Sequence, residues 1–300
     1  MGAYFDEWIA RGQLGWLYEP GDTRLHALLT EHGPVSTYRL LSAGTASLPV
    51  RAELRHLPHV HLWAAATAAV DTAQRGPIRV VIPGDPDWPA GLRDLGATAP
   101  VCMWARGPAH NPSFDRSVTI VGSRASTSYG NHIAGYLAAG LTEHAWTVVS
   151  TGGLGIDGAA LQAAADGHAV ALLGHGIDQI HPTAHRALFE RLADRSLLLS
   201  AWPPGARPTR ERAQANRKLL AAVTAGTVVV EASLRSGARE VLQQAADWGR
   251  VGMVVPGPVT SLTSAGCHAL LRTDRRIRPV TDAADVVADL HRDDLQGMAR

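Results

Sequence analysis

The sequence holds 300 residues, 46% of them apolar, with a formal net charge of +1, a balance that fits an ordinary globular protein with one sizeable α/β domain and a smaller one. The charge splits as −1 before residue 113 and +2 after it, which excludes a basic or acidic tail while leaving room for a local nucleic-acid patch. Cys102 and Cys267 fit no metal or CxxC spacing, so no disulfide framework is expected and a reduced, cytoplasmic setting is.

No apolar run approaches the length of a membrane span, and the N-terminus lacks a basic stretch followed by an apolar core, so no membrane partner is expected. Residues 1 to 75 read as a small helical domain of the SAM or helix-hairpin-helix kind, with apolar residues three and four apart in Leu25-Leu28-Leu29 and Tyr38-Leu40-Leu41. Gly33-Pro34 and Ala43-Gly44 break it into short helices. His56, His59 and His61 surround Pro58 in what reads as a histidine-rich loop without the Cys or carboxylate of a metal set.

Residues 76 to 112 read as a connector with one or two edge strands, such as Ile78 to Ile82, punctuated by Pro83-Gly84-Asp85-Pro86-Asp87-Trp88-Pro89 and packed by Trp88 and Trp104. From 113 to 300 the texture becomes βα alternation. Strand-like runs at 118–121, 147–150, 169–173, 197–201, 227–231 and 251–255 are separated by helical patterns at 129–144, 157–166, 184–194, 211–225 and 237–248. A last helix is expected over Ala283 to Leu290. This spacing predicts an extended Rossmann-like α/β fold, a doubly wound, mainly parallel sheet behind the small helical domain.

Such sheets bind ligands where the strands end. Nearly every run here stops in small residues, including Gly122-Ser123, Gly152-Gly153, Gly174-His175-Gly176 and Ser236-Gly237. Glycine turns let backbone N–H groups approach an anion, and a following helix adds the positive end of its dipole, so phosphate is the first ligand to consider. Arg124 follows the first turn and is placed to hold a phosphate with two parallel hydrogen bonds; the alternative is a salt bridge to Asp157 or Glu231. Gly152, Gly153 and Gly155 either cradle a phosphate or allow close strand–helix packing.

Asp157 is equally readable as a helix cap or a ligand contact. Asn216, Arg217 and Lys218 either flank the same groove or form a solvated helix face. Glu231, beside Arg235-Ser236-Gly237, is a ligand-facing carboxylate or half of a structural ion pair. His175, His181 and His185 lack an acidic partner at metal-ligand spacing, so no metal is expected. With no Gly-x-Ser-x-Gly, no activated cysteine and no paired acids, neither catalysis nor a cofactor is expected.

The ordered set Ile120-Val121-Gly122-Ser123-Arg124, Tyr129-Gly130, Gly155-Ile156-Asp157, Leu173-Gly174-His175-Gly176-Ile177-Asp178, Pro203-Pro204-Gly205, Val229-Val230-Glu231-Ala232, Arg235-Ser236-Gly237-Ala238, Val255-Pro256-Gly257 and Thr263-Ser264-Ala265-Gly266-Cys267 resembles the DNA-processing protein A (DprA/Smf) family. The likeness runs over about 118 to 275, with Asp85 to Pro89 as a matching entry segment. It implies a dimeric, non-enzymatic protein that binds single-stranded DNA and delivers it to a RecA-type recombinase in natural transformation, with Arg124 on the DNA. Leu154 and His168 stand where the family usually has an arginine and a lysine, and Asn216-Arg217-Lys218 stands for its Arg-Asn-Arg. Fewer cations imply weaker or differently placed DNA binding. A Rossmann-type protein that binds a nucleotide or nucleotide-derived signal, with N-glycosidic cleavage as an extension, is the alternative.

Overall fold

The computed structural model describes residues 2–108, 114–166 and 168–297. The last four residues of the expected connector, 109–112, and positions 113 and 298–300 of the expected Rossmann-like domain lie outside the described residues. The nine strands among the described residues are paired mostly in parallel, in an α/β fold. Two compact units are distinguishable. The first runs up to Arg106 and takes in Leu173–Gln179 and Leu199–Thr209; the second holds Gly107–Leu172, Ile180–Leu198 and Arg210 onward.

In the first unit, helices α1 (Gly2–Leu17), α2 (Thr23–Ser42) and α3 (His59–Arg75) bury Leu14, Leu17, Leu25, Leu41, Leu62 and Ala66 in one cluster. Asp22 caps α2 by accepting from Arg24 N. The break expected at Gly33-Pro34 is a kink inside α2, where Gly33 leaves helical geometry. His59 and His61 do not lie in a loop: they open α3 behind Pro58, whose fixed φ suits a helix start. Strands β1 (Ile78–Val81) and β2 (Met103–Arg106) pair antiparallel, Ile78 opposite Arg106. Trp104 is fully buried. Asp85 accepts from Ile82 N at 2.8 Å, and Asp87 pairs with Arg79 at 2.7 Å, so the two acids of the proline-rich segment are spent on folding the chain around β1.

The second unit is built on β3 (Ser117–Val121), β4 (Thr147–Ser150), β5 (Ala169–Leu173), β7 (Gly226–Val229), β8 (Val251–Val254) and β9 (Arg278–Pro279), with β6 at Leu197–Ser200. Every residue of β3, β4, β5, β6, β7 and β8 is buried, as expected of strands covered by helices on both faces. Parallel pairing joins β5 to β4, β4 to β3, β3 to β7, β7 to β8 and β8 to β9. The chain therefore starts at β3, winds one way through β4 and β5, and returns to the other side of β3 with β7. Doubly wound sheets open a crevice where the order reverses, here between the carboxyl ends of β3 and β7.

Helices α4 (Ser128–Glu143), α5 (Ile156–Ala164), α6 (Arg186–Arg195), α7 (Arg210–Val223) and α8 (Gly237–Asp247) fall within a few residues of their expected spans. In α4 the buried positions Gly130, Ala134, Leu137, Ala138 and Leu141 follow the three- and four-residue rhythm of one helix face. Helix α9 (Ala265–Thr273) and strand β9 were not expected, and α10 (Ala283–Gly297) outlasts its expected end. Cys102 and Cys267 are free and buried. Burial pushes their thiols up to about 12 and about 11, so both stay protonated and unreactive at neutral pH.

Candidate functional site

Three helix starts meet the strand-end edge of the second unit: α4 after β3, α5 after β4 and α8 after β7. Two of them are capped by a side chain of the sequence's own turns, and the third starts at a glycine. Thr127 caps α4 by accepting from Gly130 N at 3.1 Å, and Ser236 caps α8 by accepting from Ala238 N at 3.3 Å. At α5 the cap position is Gly155, whose φ of +78° is a left-handed geometry; a Cβ there would also stand 2.3 Å from Ser123 O. The two glycine turns are therefore locked against each other, and Ile156 N donates to Ser123 O at 3.2 Å.

Asp157 lies buried beneath these turns. It accepts from Gly122 N at 3.2 Å and from the Thr151 hydroxyl, which in turn accepts from Gly153 N at 3.1 Å. The Gly122 and Gly153 amides are thus engaged by the protein itself. Burial raises the Asp157 carboxyl above its ordinary range; the two hydrogen bonds and the Arg124 charge oppose that rise. The Gly152 carbonyl lies 3.0 Å from His185 Nδ1.

Glu231, at the end of the β7 segment, is buried as well. Its carboxylate accepts from Thr127 N at 2.9 Å, from the Thr127 hydroxyl at 2.7 Å and from the Thr263 hydroxyl at 3.1 Å. It clamps the α4 entry to the loop before α9. Nothing in the sequence spacing signals that clamp, because its partners lie 104 and 32 residues away; Thr127 is readable only as a cap ahead of α4.

Arg124, by contrast, is exposed, and forms no ion pair among the described residues. Ser123 is half-buried beside it. Arg235 is exposed on the loop before α8, and Lys218 on α7. The three neighbouring residues of α7 face different ways. Asn216 is buried and donates from Nδ2 to Leu172 O at 2.8 Å, whereas Arg217 pairs with Glu240 at 2.5 Å and lies across Gly237, where a Cβ would stand 2.3 Å from its Cζ. Lys218 alone points to solvent.

The structure thus brings Gly122, Ser123, Arg124, Gly152, Gly153, Gly155 and Asp157 together on two adjoining turns, with Glu231, Arg235, Ser236 and Gly237 across the reversal point on the β7 side. Gly174 and Gly176 belong to the first unit. There Gly176 N donates to Ala206 O at 2.7 Å and Gly205 N to Asp178 Oδ1 at 2.8 Å, which ties loop 173–179 to loop 199–209. Among the described residues no three His, Cys, Asp or Glu side chains cluster as metal ligands. No described helix is long and apolar enough to cross a membrane.

A family model described as DNA recombination-mediator protein A matches residues 79–291. The chain belongs to this family. The resemblance read from the ordered motifs is thereby confirmed, and a family of mediators agrees with the expectation that no catalysis occurs here. Among members of this recombination-mediator family, a putative DNA processing protein DprA of Mycobacterium tuberculosis is 46% identical over 222 residues, covering 70% of this chain and 57% of that protein. DNA processing protein DprA of Streptococcus pneumoniae is 32% identical over 193 residues, covering 64% of this chain and 67% of that one. The chain therefore spans little more than half of the mycobacterial relative. The solved structure of the S. pneumoniae DprA superimposes with a TM-score of 0.71 at 24% identity, over 94% of this chain and 96% of that one. A Helicobacter pylori DNA processing protein A, whose structure concerns its mode of binding single-stranded DNA, matches with a TM-score of 0.64 at 22% identity, over 72% of this chain and 96% of that one. These two likenesses bear on the fold.

Proposed function

We propose that this recombination mediator binds single-stranded DNA at the crevice between β3 and β7, acts in the cytoplasm as a homodimer, and passes the strand to a RecA-type recombinase during DNA uptake. The observation that carries the reading is Arg124: an exposed guanidinium that forms no ion pair among the described residues, at the turn after β3, beside the point where the sheet order reverses. Because the Gly122 and Gly153 amides have internal partners, the exposed cations rather than a backbone cradle are the phosphate contacts. Arg124 is the main one, with Arg235 assisting. Asp157, Glu231, Ser236 and the glycines shape the turns that present them.

The backbone of a single strand is read by charge and its bases by stacking, which explains binding without sequence preference. Titration of a labelled oligonucleotide by fluorescence anisotropy at low salt tests the reading. The Arg124→Ala variant is expected to bind about 10- to 150-fold more weakly, as for the loss of a charge-assisted contact of ~1.5–3 kcal/mol. No binding at low salt, or binding untouched by the substitution, rejects the reading.

A further inference from the structure

Single-stranded DNA presents flat bases as well as phosphates, and a cationic track alone leaves the bases in water. Tyr129 occupies the first turn of α4, five residues beyond Arg124, with 40% of its surface exposed. The chain between the two residues spans at most about 18 Å, a length that about five stacked nucleotides cover at ~3.4 Å each. An exposed aromatic ring within a few nucleotides' reach of an exposed guanidinium is the pairing that single-strand binders use, charge for the backbone and a π face for the base.

The ring is also held in place. Its hydroxyl lies 3.5 Å from Pro256 O, in the turn after β8. Two residues earlier, Thr127 is fixed to Glu231 through both its amide and its hydroxyl. The Pro256 loop is tied down in turn by His268 Nε2, which lies 3.1 Å from Gly257 O, and by Ala232 N donating to Thr263 O at 2.6 Å. A platform fixed before the ligand arrives loses little freedom on binding. The same loop carries Val259 and Leu262, 88% and 84% exposed. Tyr136, also exposed on α4, is two turns along the helix, about 10 Å from the strand-end edge, and is not placed to share the role.

We infer that Tyr129 is the platform on which a base of the bound strand stacks. This inference rests on the single-stranded DNA reading above, and it concerns the base where Arg124 concerns the phosphate. The test compares oligothymidylate with an abasic oligonucleotide of equal length, for the full chain and for its Tyr129→Ala and Tyr129→Phe variants. Tyr129→Ala is expected to weaken oligothymidylate binding about 5- to 150-fold while leaving the abasic strand unchanged, and Tyr129→Phe, which keeps the ring and loses only the long hydroxyl contact to Pro256 O, to retain most of the oligothymidylate affinity and all of the abasic. Equal weakening on both strands, or none on either, overturns the platform while leaving the phosphate reading intact. Parent protein that binds neither strand overturns both. Oligonucleotides carrying 2-aminopurine give a second readout: quenching on binding to the parent and Tyr129→Phe proteins, absent with Tyr129→Ala at saturation, supports stacking, and equal quenching by all three contradicts it.

Discussion

Asp157 shows what a single buried carboxylate contributes to a turn. It satisfies the Gly122 amide and the Thr151 hydroxyl in a buried setting, and burial raises its own carboxyl. A carboxyl whose native value is raised binds its proton more readily in the folded chain than in the unfolded one. Its contribution to stability therefore grows as pH falls from the raised native value towards the ordinary carboxylate range, and diminishes as pH rises through the native value. Asp157→Asn keeps an acceptor for Gly122 and is expected to flatten that pH dependence in chemical denaturation. Asp157→Ala leaves a buried donor stranded and is expected to cost about 1–3 kcal/mol at neutral pH. An Asn variant with the parental pH profile would show that the group does not titrate as described. From sequence alone, Asp157 was as readable as a cap or a ligand contact, because both readings place a carboxylate in the first turn of a helix. The choice depends on Gly122, 35 residues away.

At the scale of elements, the six strand runs and their crossover helices were legible because buried parallel strands leave short β-branched runs and glycine stops that the chain states locally. Helix α9 was not. Its buried face holds only Gly266, Cys267 and Leu270, and it follows a run of Ser, Thr, Pro and Gly that reads as loop. Strand β9 is two residues long and leaves no periodicity to read. Glu231 was legible as a carboxylate at a strand end, but its use as the clamp between the α4 entry and the loop before α9 was not. Glu231→Ala strands three donors and is expected to destabilise the fold by at least ~2 kcal/mol, measured by urea denaturation. It should weaken DNA binding only under conditions where the variant begins to unfold. Full stability combined with lost DNA affinity would instead place Glu231 in the contact surface.

For the whole molecule, the order of strands in the sheet was beyond sequence reading, since β3 pairs with β7 across about a hundred intervening residues and no local pattern announces the reversal between them. That reversal puts Arg124 on one side of the crevice and Arg235 on the other. As a proposed homodimer, the chain is expected to sediment at twice its own mass at micromolar concentration, and a monomer there would remove the dimer from the account. Charge holds the strand in the proposed crevice, and salt reports charge directly. Affinity for single strands falls with log salt by about 0.7 for each phosphate neutralised. The decisive measurement is the slope of log affinity against log salt for the parent and Arg124→Ala proteins: a slope shallower by about 0.7 to 1.4 in the variant, for one or two phosphates released, is the predicted result. Parallel slopes would show that Arg124 meets no phosphate and would contradict the account.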